Sequence, residues 1–242
     1  ADCSVAMASG SQVACQVSHI VLLESDFSAM PSVVAEGRRV INNIERSASL
    51  YLVKNIFSLC LAIISLIFTF TYPFSAAQLS LVSALTIGLP SFVMALEPNN
   101  SLVQGKFMRN VLYKAFPGGL TDLFIILGVE LFVYAFGFTT AQLSTMSAVL
   151  LGYIGLLVLF QVCKPIDWKR LVVWGAMALA MLVCILFFGP TFSITRLNIQ
   201  PFLVLIVFIL LAYPLMRAIQ WCFDGGAQLW AKLRSKLPHQ AE

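Results

Sequence analysis

The chain has 242 residues, of which 60% are hydrophobic and 11% charged, with a mean hydropathy of +0.90 and a formal net charge of +4. Water-soluble domains average about 45–50% apolar and about 25% charged residues, and disordered chains are poorer still in apolar residues, so both classes are excluded. The small, dispersed basic excess argues against a nucleic-acid-binding module, and most of the chain belongs in a bilayer.

The chain opens on Ala1 without the basic and apolar regions of a signal peptide, and reads as the cut end of a soluble domain. Ser4–Met7 is a short strand candidate, Ser11–Ser18 a short helix, and His19–Leu23 a second strand. The second strand is nearly all apolar, as in a parallel sheet covered on both faces. Ser25, Asp26 or Ser28 can cap the next helix, with Pro31 tolerated in its first turn, where the missing N–H costs no intrahelical bond. Partners for these strands are absent from the chain, and a piece under about 40 residues rarely has enough core to stand alone.

From Ser32 onward no turn signal interrupts the helical pattern before the bilayer, and Gly37 is only a mild cost. One helix is therefore expected from about residue 28 to about residue 71. Its first half is charged (Glu36, Arg38, Arg39, Glu45, Arg46) and its second half apolar. Six spans are expected, at roughly 50–71, 79–96, 118–138, 142–163, 170–189 and 200–219. With Lys54 and Arg196 excepted, Lys and Arg fall in the entry helix, the 97–117 loop, the 164–170 loop and the tail. Six alternating spans put all four places on one side, so the positive-inside rule predicts cytoplasmic termini. Trp168, Trp174, Trp221 and Trp230 lie where interfacial anchors would. Cys3, Cys15, Cys60, Cys163, Cys184 and Cys222 form no Cys-x-x-Cys pair, and His19 and His239 are isolated. Neither a disulfide framework nor a metal site is expected from them.

Two features of the spans carry chemistry. Gly88-Leu89-Pro90 lies at bilayer depth in the second span. Pro90 has no N–H, so the Thr86 carbonyl loses its helical partner. That carbonyl is either satisfied by a neighbouring helix or free to coordinate a cation at a broken helix. Ser83 lies one turn earlier on the same face. In the first span, Asn55 and Ser58 share a face with Ala62 and Ser65. Glu130 is the well-buried carboxylate candidate of the remaining spans, while Asp122 is placed nearer the cytoplasmic edge. An ionisable residue inside a span marks a functional site by default; an interhelical hydrogen bond is the plain alternative for Glu130. Lys54 either borders the pathway or snorkels to the interface.

Four segments in order resemble the P-type (E1–E2) cation-transporting ATPases. They are Ala1-Asp2-Cys3-Ser4-Val5-Ala6-Met7, then His19-Ile20-Val21-Leu22-Leu23 with Phe27, then Glu36-Gly37-Arg38-Arg39-Val40-Ile41-Asn42-Asn43-Ile44, and then Thr86-Ile87-Gly88-Leu89-Pro90 with Glu97-Pro98. The resemblance implies a C-terminal fragment of a pump. Residues 1–36 would be the remnant of a phosphorylation domain, 37–219 the six-span transport domain, and 220–242 a cytoplasmic tail. The implied fold class is mostly α: a six-helix transmembrane bundle preceded by a partial α/β, HAD/Rossmann-like cytoplasmic piece.

The catalytic Asp, the nucleotide-binding domain and the magnesium motif of the family would lie upstream. Mg2+ and ATP are then cofactors of the full-length pump, and the fragment alone would be inactive. Matched to the family, Asn55, Ser58, Ser83, Thr86 and Ile87 fall at ion-pathway positions. Ser58 and Ile87 stand where calcium pumps carry Glu and Asp, although a dehydrated divalent ion favours carboxylates. Lys54-Asn55 is reminiscent of lipid flippases of the same superfamily, whereas the Leu50–Phe57 and Ser83–Pro98 stretches resemble bacterial cation pumps more closely. The expected partners are the missing N-terminal portion, the bilayer and a cation: Ca2+ first, Mg2+ or a monovalent ion next. The expected location is the plasma membrane. A six-span channel or scaffold without ATP coupling is the alternative from another class.

Overall fold

The computed structural model describes residues 3–68, 70–99, 101–103, 105–164 and 167–236, with side chains as far as Gly226. Ala1, Asp2 and His239 lie outside the described residues, and Trp230, Lys232, Arg234 and Lys236 outside the described side chains. The chain divides into two compact units, Ala1–Asn42 with Pro98–Gln104, and Asn43–Glu97 with Gly105–Glu242.

In the first unit, β1 (Val5–Met7) and β2 (Ile20–Leu22) pair in parallel, with Val5 opposite Ile20 and Met7 opposite Leu22. The crossover is α1 (Gln12–Val17), whose N-cap Ser11 accepts a bond from the Ala14 N–H at 3.1 Å. This is a βαβ unit, but two strands are too few to set a strand order. The expected double coverage of β2 is only partly met. Leu22 is buried, while Leu23 just beyond the strand is 84% exposed. Asp26 caps a 3-10 turn at Phe27–Ala29, accepting from the Ser28 N–H and hydroxyl. These bonds favour the charged form and hold the Asp26 carboxyl below its usual range. The long helix α2 (Met30–Phe68) then begins, with Pro31 in its first turn, as the sequence predicts. Within this unit the Asn42 amide donates to the carbonyls of Asn99 and Ser101.

The second unit holds the rest of α2 and the remaining helices. These are α3 (Ala76–Ser83), α4 (Leu89–Ala95), α5 (Phe107–Phe136), α6 (Thr140–Val162), α7 (Trp168–Phe187) and α8 (Ile199–Lys236). A π-helical turn, Ala84–Gly88, joins α3 to α4 into one interrupted span. Among the described residues, six helices are long and apolar enough to cross a membrane.

Two boundaries differ from the expectation. α5 starts at Phe107 rather than near residue 118, with Pro117 inside the helix. Proline was read as the end of a loop. Membrane helices tolerate it because neighbouring groups satisfy the carbonyl it leaves free four residues back; Pro117's own carbonyl accepts the Thr121 hydroxyl at 2.7 Å. α8 likewise carries Pro214 internally and runs past residue 219. The tight connection after α5 is as expected. Gly137 takes the left-handed φ of 66° that ends the helix, and Thr139 with Gln142 forms a capping box that starts α6.

α6 is the central rod, with 67% of its most apolar stretch buried, and it packs on α3, α5, α7 and α8. Glycines set the close approaches, as expected where lipid gives helices no hydrophobic drive to associate. A Cβ on Gly119 would come within 3.0 Å of the Val53 carbonyl of α2, and one on Gly128 within 2.8 Å of Phe208 on α8.

Charge gathers at one end of this unit. Glu97 accepts from Arg170 Nε at 2.7 and 3.0 Å and pairs with Arg46 at 3.3 Å. Glu45 pairs with Lys114 at 2.6 Å and accepts from Asn110. Arg46, Lys114 and Arg170, which span parity placed on one side, thus meet two carboxylates, Glu45 on α2 and Glu97 just beyond α4. Trp174 departs from its expected role: it is half-buried, and its indole N–H donates to the Leu156 carbonyl at 2.8 Å, so it anchors α7 on α6.

Candidate functional site

A cavity of about 30 Å³ opens where α2, the π-turn, α5 and α6 meet. Its polar wall is Lys54, Ser83, Thr86 and Asp122; its apolar wall includes Val53, Ile87 and Val158. The local sequence explains the opening. Pro90 supplies no N–H to the turn before it, and the helix widens, so that the Leu89 N–H reaches back to the Ala84 carbonyl. Gly155 lets α6 press against that turn, since a Cβ there would lie 2.8 Å from Thr86 Cγ2.

The hydroxyl protons are already committed. Ser83 Oγ donates to the Leu79 carbonyl at 2.6 Å, and Thr86 Oγ1 to the Val82 carbonyl at 2.8 Å. A hydroxyl has one proton and two lone pairs, so what both oxygens still offer is acceptor capacity. Lys54 Nζ takes one Ser83 lone pair at 2.6 Å. Its ammonium is therefore turned inward, not snorkelled to an interface.

Among the residues singled out in the sequence, the structure brings Lys54, Ser83 and Thr86 to one cavity, with Gly88 and Pro90 forming the break beneath it. Asn55 follows Lys54 by one residue, about 100° around the helix, and is exposed. Ser58 is half-buried and does not line the cavity. Glu130 is also half-buried; its Oε2 is enclosed without a hydrogen-bond partner, and it lies about 12 Å along α5 from Asp122 by helical rise.

Asp122 is the residue the sequence reading undervalued. It is 2% exposed, lines the cavity, and leaves Oδ1 without a hydrogen-bond partner. With α5 running from Phe107 to Phe136, Asp122 sits at its middle rather than near an edge. The available signal was a carboxylate within an apolar run beside Gly118-Gly119 and Thr121, the small residues of a close helix contact. Among the described residues no three His, Cys, Asp or Glu side chains come together to hold a metal. Among the described residues, the side chains present do not fit a resident Mg2+ held with ATP.

Six candidate spans among the described residues, four of them enclosing a polar notch, define a multi-pass membrane protein. No family model matches the chain. It is 36% identical over 185 residues to a probable cation-transporting ATPase, exp7, of Streptococcus pneumoniae, covering 72% of this chain and 24% of that protein. It is 37% identical over 202 residues to the calcium-transporting ATPase CtpE of Mycobacterium bovis, covering 76% of this chain and 25% of that one. A calcium-transporting ATPase of Lactococcus lactis is 28% identical over 53% of this chain. By these likenesses and its own motifs, the chain belongs to the P-type cation-transporting ATPases. It spans about a quarter of the length of the first two of these relatives.

Proposed function

We propose that the chain is the C-terminal part of an ATP-driven cation pump, forming half of its membrane ion pathway. In the whole pump, Mg2+ and ATP would act at sites outside these residues, and α2 would carry the phosphorylation-driven movement into the membrane. The observation that carries the cation reading is the cavity at the broken span. It joins two hydroxyl oxygens with committed protons to a carboxylate, a donor set suited to a hard cation. Size supports the same choice. About 30 Å³ is room for one or two water-sized particles, a scale that suits a single ion. Asn55, exposed within the span, would face ligands supplied by the rest of a pump about three times as long as this chain.

Calcium is the first cargo, on the strength of relatives named as calcium-transporting ATPases. The plasma membrane, with both termini cytoplasmic, is the proposed location. The test is ATP-driven radioactive calcium uptake by membrane vesicles carrying the complete pump. Thr86→Val keeps the shape and removes an oxygen, and is expected to lower uptake about tenfold or more, the scale of one lost ligand contact. ATPase activity stimulated by phospholipid headgroups and indifferent to cations would instead establish the flippase alternative. Passive flux without ATP would establish a channel.

A further inference from the structure

We infer that Asp122, from the third spanning helix, is the anionic ligand for the cation, and that the cation sits between it and the tethered Lys54. The inference rests on the pump reading above and adds a residue, a helix and a charge arrangement to it. A carboxylate buried to 2% exposure loses its hydration and needs a proton, a partner or a cation in compensation. Asp122 Oδ1 has no hydrogen-bond partner, and no ion pair joins it to Lys54 although both line one cavity. The ammonium is spent instead on Ser83 Oγ at 2.6 Å. A lysine and a carboxyl side chain thus border about 30 Å³ of space without closing on each other.

A cation admitted there meets Asp122 from α5, with Thr86 Oγ1 and the remaining Ser83 lone pair from the broken span. Lys54 does not compete for the carboxylate while it is held on Ser83. Its fixed charge sets a limit: a cation near an ammonium in a poorly polarisable cavity is repelled. The Asp122 charge is what makes occupancy favourable. Removing that charge should therefore weaken cation binding more than removing one neutral oxygen.

The test uses the complete pump in vesicles, with Ca2+ as the probe. Dicyclohexylcarbodiimide, which modifies carboxyl groups in apolar surroundings, is applied with and without Ca2+, and labelled peptides are located by mass spectrometry. Asp122 is expected to be labelled without Ca2+ and protected by it; labelling of Asp122 unchanged by saturating Ca2+ overturns the inference. This readout needs no variant and no turnover, so it judges Asp122 even where uptake fails and the pump reading falls with it. In uptake assays, Asp122→Asn is expected to raise the half-saturating Ca2+ concentration tenfold or more, the loss of a charge-assisted contact. Asp167→Asn, at the exposed start of α7, is expected to leave it unchanged. Equal Ca2+ dependence in Asp122→Asn and wild type, with Thr86→Val impaired, overturns the inference and leaves the pump reading standing.

Discussion

The interrupted span Ala76–Ala95 and the unbroken α7, Trp168–Phe187, have the same length, 20 residues, and opposite surroundings. The interrupted span is the less apolar of the two, yet half of its most apolar stretch is buried, against 11% for α7. In water the ranking would be reversed. In lipid the most apolar helix can face the solvent at no cost, and polar groups must be enclosed by protein. α7 accordingly shows Leu179, Leu182, Leu186 and Phe187 to the outside. The interrupted span turns Gln78, Thr86 and Ser91 inward. Where a chain places its polar residues inside the membrane is therefore a better guide to function than where it places its apolar ones.

The comparison breaks first on paired truncations. Leu81→Ala, in the interrupted span at 6% exposure, should cost about 2–4 kcal/mol by leaving a cavity, whereas Leu182→Ala on α7, at 54%, should cost under about 0.5 kcal/mol. Thermal unfolding in detergent measures both, and equal shifts would show that α7 is also enclosed by protein. Next come the glycines. Gly155→Ala drives a methyl into Thr86, and should cost about 1–3 kcal/mol with a loss of transport. Gly175→Ala on α7 meets nothing within 4 Å and should be neutral or slightly stabilising. The smallest effect sharpens how α7 is held. Trp174→Phe removes the bond to the Leu156 carbonyl, and should lower stability by about 1 kcal/mol with transport retained.

Much of this was legible beforehand. The strands, the first helix, the single long α2 and the six-span pattern follow from local signals: apolar runs, a cap at Ser11, a first-turn Pro31. The break at Pro90 was legible because a missing N–H has one consequence whatever the surroundings. One boundary misreading has a clear cause. Pro117 looks like a helix end by propensity, but lipid makes an unwound backbone so costly that the helix continues through it, as the sixth span was expected to do through Pro214. Starting the third span at residue 118 then displaced Asp122 to an edge and favoured Glu130.

Composition and order by themselves determined a chain that must live in a bilayer, with a charged entry to one helix and a proline-broken second span. These depend on each residue's own solvation and backbone chemistry, which neighbours do not change. Only the tertiary structure decided that Lys54 turns inward to Ser83, that Asn55 turns away, and that Asp122 faces the break. Those facts depend on how closely helices approach, and that is set by Gly119 against Val53 and Gly155 against Thr86, contacts between residues far apart in the chain.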